Sequence, residues 1–159
     1  MPAQAQTRAR TDLEIDRATH TIRLTRSFAA ARAAIFEAWT QPEHVTCWWD
    51  AAGELLTVCE IDLRPGGAFK FVTKGHPDMP FAGTSHEIAP PERLVFAAIG
   101  ATGRVLLQEA AGWTHMTVEI QCGSAEQLEQ YRKMGVDAGT SQTLDNLVAY
   151  VRRRSTAVS

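Results

Sequence analysis

The chain has little of what marks the specialised protein classes. Cysteine occurs three times in 159 residues, at Cys47, Cys59 and Cys122, an odd count with no Cys-x-x-Cys pair. That spacing offers neither a disulfide framework nor a zinc site, and it suits a reducing, cytoplasmic setting. No apolar run approaches the roughly 20 residues that a membrane helix needs. The opening residues MPAQAQTRARTD also lack the apolar stretch of a secretory signal, so no membrane insertion is expected. Charge of one sign is missing too, since 16 basic and 18 acidic residues are scattered along the chain and leave a formal charge of −2. A nucleic-acid partner would call for basic residues gathered on one face. The one basic cluster, Arg152-Arg153-Arg154, ends a helical stretch, where cations complement the helix dipole.

What is present is an ordinary globular composition, 45% hydrophobic and 21% charged, of about one domain's length. A domain of this size can remove roughly two-thirds of its unfolded surface from water. That suffices for a core and for a lined cavity within it. The domain is expected over residues 19–154, with disordered tails at 1–18 and 155–159.

Alternation and turn chemistry then set out the elements. His20 to Phe28 alternates, with Ile22, Leu24 and Phe28 on one side, as a half-buried strand does. Arg26 shares the parity of those apolar residues and is either inward or at a frayed end. Two short helices are predicted next, the first over Ala31–Trp39 and the second from the capping-box spacing Thr40-Gln41-Pro42-Glu43 to Trp48-Trp49. From Leu55 to Leu63 the odd positions should face the core. Pro65-Gly66-Gly67 then turns the chain into a return strand carrying Phe69 and Phe71. Further strands are predicted at Phe81–Ile88, Leu94–Ala98, Val105–Glu109 and Trp113–Gln121. Short successive strands joined by turns pair antiparallel, because parallel neighbours need long crossovers.

The tail is helical but not one helix. The stripe Leu128, Tyr131, Met134 falls almost opposite the stripe Val136, Thr140, Thr143, Leu144, Leu147, Val151, and a straight helix cannot bury both. A short helix, a break near Gly135 and a main helix to about Arg153 follow.

Three stretches, AIFEAWTQPEHVTCWW (33–49), EIDLRPGGAFKFV (60–72) with EIAPPERLVF (87–96), and MGVDAGTSQTLDNLVAYV (134–151), resemble the START-like superfamily, also called SRPBCC. Within it they resemble the branch named after the C-terminal domain of the heat-shock-protein-90 ATPase activator. The resemblance implies an α+β helix-grip fold: two short helices after the first strand, and a curved antiparallel sheet of about six strands around a long C-terminal helix. It also implies an internal cavity for an apolar or amphipathic molecule, with polyketide cyclases and lipid carriers among the superfamily's members. It carries over no catalytic motif and implies no cofactor. Thr140 stands where relatives often place an aromatic, which should enlarge the cavity. The co-chaperone that names the branch has a separate N-terminal domain that this sequence does not show, which argues against a chaperone partner. A homodimer stays open.

The candidate ligand-binding residues are Cys59, Ile61, Phe69, Phe71, Phe96, Met116, Val118, Thr140 and Leu144, with Trp48 and Trp49 as one packed ring and one rim ring. His86 shares parity with Ile88, which is expected inward, so it is a candidate general base or polar anchor. Arg26, if inward, would anchor a carboxylate. Asp62 and Arg64 share the outer face of a strand and read as a surface pair. His44 and Cys47 have helical spacing but no third ligand, so no metal is assigned. Three functions follow: a binding module for a small hydrophobic molecule, a cyclase- or dehydratase-like enzyme, and a protein-interaction module.

Overall fold

The computed structural model describes residues 11–158, with side chains to residue 154. It contains eight strands and four helices among the described residues. In chain order these are β1 (Asp12–Asp16), β2 (Thr21–Phe28), α1 (Arg32–Thr40), α2 (Pro42–Trp48), β3 (Val58–Ile61) and β4 (Ala68–Val72). There follow β5 (Phe81–Ala89), β6 (Arg93–Ala98), β7 (Ala101–Ala110), β8 (Trp113–Gln121), α3 (Ala125–Lys133) and α4 (Val136–Val158). All strands join one antiparallel sheet in the order β1-β2-β8-β7-β6-β5-β4-β3. From β3 to β8 it is a meander, and β2 reaches across the sequence to lie beside β8. This is the α+β helix-grip arrangement, with α4 packed over the inner face.

The sheet is larger than the six or so strands expected, partly because the N-terminal segment is used. Asp12–Asp16, placed by sequence in a disordered tail, pairs in register from Asp12 with Thr25 to Asp16 with Thr21. Charges reward that pairing, since Arg23 bonds Glu14 at 3.3 Å and Glu119 on β8 at 2.9 Å across three neighbouring strands. Such cross-strand pairs steady an edge that propensity alone would leave frayed. Residues 1–10 of the expected tail lie outside the described residues. At the other end α4 continues to Val158, beyond the helix end expected near Arg153 and through most of the segment 155–159 expected to be disordered.

The break between α3 and α4 falls at Gly135, whose φ of +80° a side chain would strain. It lets the two stripes read from the sequence face different surroundings. Leu128 and Tyr131 are buried from α3, and Leu144, Leu147, Val148 and Val151 from α4. At the start of α3 the Ser124 hydroxyl accepts the Gln127 N–H at 3.1 Å, as its capping spacing predicts. Thr40 does not cap α2. It ends α1 and donates to the Phe36 carbonyl at 2.8 Å.

Arg26 is not at a frayed end. It lies inside β2, 5% exposed, and its Nη1 donates to Asp145 Oδ1 of α4 at 2.5 Å. Thr11 donates to the same carboxylate at 3.2 Å. Helix and sheet are thereby tied by one charged bond in addition to apolar contact. Removing one member of such a pair strands a buried charge. Asp145→Ala should therefore lower unfolding stability by about 3 kcal/mol, read as a fall in the urea midpoint. The double change Arg26→Met with Asp145→Leu should recover most of it.

Candidate ligand-binding cavity

Two spaces lie between the sheet and the helices. The larger, about 570 Å³, is walled by β5–β8, the loop after α2, and the first turns of α4. Val118, Ile120, Ala98, Ala101 and Gly103 contribute from the strands, and Val136, Gly139, Thr140, Thr143 and Leu144 from the helix. The smaller, about 30 Å³, is enclosed by aromatics, with Ile61, Leu63, Val45, Leu94, Thr40 and Ser85 filling the gaps between rings. Trp39, Trp49, Phe81 and Phe96 line both, so the two spaces abut at these rings.

The rings form one connected cluster. Trp49 meets Phe71 and Phe81 with centroids 4.8 and 5.0 Å apart, Phe69 meets Phe96 edge-on at 5.7 Å, and Trp39 meets Trp48 edge-on at 4.9 Å. These are the offset and edge-to-face separations that ring quadrupoles favour. Backbone geometry makes room for one of them. Phe96 lies over Gly103, where an added Cβ would come within 2.4 Å of the ring. Gly103→Ala should force Phe96 toward the cavity and cost about 1–3 kcal/mol through overpacking, checked by thermal unfolding together with loss of cavity volume in a structure of the variant.

The tryptophans divide their roles. Trp48 is 1% exposed and its indole N–H donates to the Ala38 carbonyl at 2.9 Å, so it joins helix to helix. Trp49 is half-buried and faces both spaces. It is held from α4, because Thr143 donates to its carbonyl at 3.2 Å while Asn146 donates to that of Asp50 at 3.0 Å. Thr140 is half-buried in the wall of the larger space.

Of the residues singled out by sequence, Trp49, Phe96, Val118, Thr140 and Leu144 line the larger space, and Trp48, Ile61, Phe69 and Phe71 the smaller one. Met116 lines neither. It is fully buried opposite Leu107 and Arg26, in the solid part of the core. Cys59 is half-buried outside both walls, and its surroundings push the thiol up to about 11, mostly by burial with Glu43 adding repulsion. The odd-numbered face of Leu55–Leu63 holds only in part. The strand proper is Val58–Ile61, Leu55 is 63% exposed, and Leu56 is the buried member. Arg26 pairs with Asp145 and lines neither space.

His86 is corrected by a β-bulge. Ser85 pairs with Phe96 and Glu87 with Val95, so His86 is the extra residue of the strand and is exposed. A bulge shifts parity by one, which puts Ser85 inward and separates His86 from the parity of Ile88. The Pro65–Gly67 turn fixes that geometry: Gly66 N–H donates to the Ser85 carbonyl at 2.7 Å and Ser85 N–H donates to that of Gly67 at 2.9 Å. Trp39, Phe81, Ser85 and Tyr131 were absent from the candidates. Taking Ile88 as inward placed the odd positions of this strand, Phe81 and Ser85 among them, outside, and the bulge that reverses this is one that no sequence period announces.

The ionisable groups of the larger wall are occupied elsewhere or exposed. Glu119 pairs with Arg23, Tyr131 donates to the Ile99 carbonyl, Asp50 accepts the Ala52 N–H at 3.0 Å, and His76 is exposed. Burial pushes the Tyr131 phenol up, keeping it a donor. His44 bonds Tyr150 at 2.6 Å, and no group of metal-ligating side chains forms among the described residues. Asp62 and Arg64 make an exposed pair at 2.9 Å. No helix of the described residues is long and apolar enough to cross a membrane.

An antiparallel sheet gripping a long C-terminal helix is the START-like fold. Within that class the chain belongs to the family described as activator of Hsp90 ATPase homolog 1-like proteins, whose family model matches residues 29–152. Solved structures agree on the fold. A Mycobacterium smegmatis protein is 25% identical with a TM-score of 0.76, the match covering 91% of this chain and 99% of that one. A Nitrosomonas europaea protein is 22% identical with a TM-score of 0.78, over 86% and 96%. An AHSA1-like protein from Aeromonas hydrophila is 23% identical with a TM-score of 0.68, over 84% and 94%. No curated protein matches the sequence.

The Cys59 environment gives a pH dependence with a definite sign. The thiol's ordinary value near 9 applies to the unfolded chain and about 11 to the folded one. Between those values the unfolded chain ionises first, so stability falls as pH rises from about 9 to 11. The urea midpoint should drop over that range, and Cys59→Ala should flatten the drop.

Proposed function

We propose that the protein binds a small hydrophobic or amphipathic molecule in the cavity beneath α4. The observation that carries this is the cavity itself: about 570 Å³, within the roughly 300–1,000 Å³ of small-molecule sites, walled mainly by apolar side chains with threonines and several ionisable groups among them. Family membership supports the reading through its fold. A cyclase- or dehydratase-like reaction has less support, because it calls for two ionisable side chains converging in the cavity, and those in its wall are turned to other partners or exposed. A protein-docking role has less still. It calls for a contiguous exposed apolar patch, and the exposed large apolar residues Leu13, Leu55, Leu63, Met79, Ile99, Trp113 and Met134 come from different elements and loops of the chain.

Thermal unfolding with palmitate and with 2-acetylnaphthalene as probes tests the reading. At a hundredfold excess over Kd, binding to the folded state alone should raise the midpoint by about 5–10 °C. Thr140→Trp places an indole in the cavity wall and should abolish the rise while leaving the unliganded midpoint unchanged or higher. No rise with either probe, or a rise that survives Thr140→Trp, overturns it.

A further inference from the structure

We propose that the smaller space is a polar subsite for one uncharged oxygen, a carbonyl or hydroxyl carried by an aromatic ring seated in the larger cavity against Trp49, Phe81 and Phe96. The inference rests on the cavity being a binding site and names the chemistry of its ligand. Size supports it first. A volume of about 30 Å³ admits about one oxygen-sized group and no ring, whereas the adjoining space is large enough for a bicyclic molecule.

The polar groups around that space support it next. Ser85 is 4% exposed and lines the smaller space. Trp39 is 8% exposed and its indole N–H is buried without a partner. Buried donors left unmade are costly and rare. Their neighbours show that the surroundings can satisfy such groups, since the Trp48 N–H and the Thr40 hydroxyl both donate to backbone carbonyls. Ser85 is also held in place: both of its backbone groups bond the Gly66-Gly67 turn, and Gly67 tolerates no side chain, because a Cβ there would meet the Asp62 carbonyl at 2.0 Å. A rigid strand therefore presents a hydroxyl to an aromatic-walled space.

The walls decide the rest. No charged side chain lines the smaller space, so a carboxylate entering it would lose its hydration without compensation. A ketone or phenol oxygen loses much less and can accept from Trp39 or from Ser85, both of which line that space. The rings shared by the two spaces offer the faces and edges that another planar ring packs against.

Two probes of nearly equal shape test this, 2-acetylnaphthalene and 2-ethylnaphthalene, titrated calorimetrically against the unaltered protein, Ser85→Ala and Trp39→Phe. Each variant should bind the ketone about 3- to 10-fold more weakly, the loss of one hydrogen bond, with the hydrocarbon held within about twofold. The unliganded midpoint of Ser85→Ala should change little, since among the described residues no hydrogen bond from that hydroxyl joins two elements of the fold. Equal losses for both probes would mean that the side chains act by shape and overturn the subsite, as would no loss at all. If the unaltered protein binds both probes and the variants do not discriminate, the cavity stands and the subsite alone falls. If it binds neither probe and palmitate also fails to raise the midpoint, the cavity reading falls with it.

Discussion

The seat of α4 on the sheet is the constraint from which the rest of the structure follows. Beyond Thr143 it presses Leu144, Leu147, Val148 and Val151 into the core, and the Arg26–Asp145 bond fixes where along the strands it rests. Apolar contact is non-directional and would tolerate a shift of the helix. A charged bond of 2.5 Å from a buried guanidinium does not, because a displaced partner leaves an uncompensated charge. The same helix then sets the cavity rim, as Thr143 and Asn146 hold the carbonyls of Trp49 and Asp50.

A cavity exists because the two halves of α4 differ. Beyond Thr143 the inward stripe is large and aliphatic, and it fills the sheet's concavity. Before it stand Val136, Gly139 and Thr140, too small to reach the strands opposite. Across the gap Ala98, Ala101 and Gly103 are small as well. Close packing otherwise leaves few voids larger than a water molecule, so small residues on both walls at one level are a specific departure. At the far end the aromatic cluster closes the space with ring contacts and leaves only the oxygen-sized remainder beside Ser85.

Much of this was legible in advance. The breaks at Pro65–Gly67 and Gly135, the alternating strands and the opposed stripes of α3 and α4 gave element order, the antiparallel sheet and the inward face of the last helix. The odd face of the first meander strand was only half right, because that strand is four residues long and its flanks follow loop geometry rather than a period of two. The N-terminal strand was missed because its alternation, Leu13 and Ile15 between three acidic residues, is only five residues long and adjoins a polar leading stretch. Its pairing depends on Arg23 and Glu119, far away in sequence.

The sequence by itself determined which residues are able to be inside, since period and turn chemistry are local and act through adjacent positions. It reached Trp49, Phe69, Phe71, Phe96, Val118 and Thr140 on that basis. Only the tertiary structure decided what those residues do together. A single bulge exchanged His86 for Ser85 at the wall, and one carboxylate on α4 holds Arg26 apart from both spaces. Met116 fell in the solid core and Cys59 outside the walls. Each outcome turns on pairing between segments remote in the chain, where a one-residue offset reverses every side chain and no local signal records the offset.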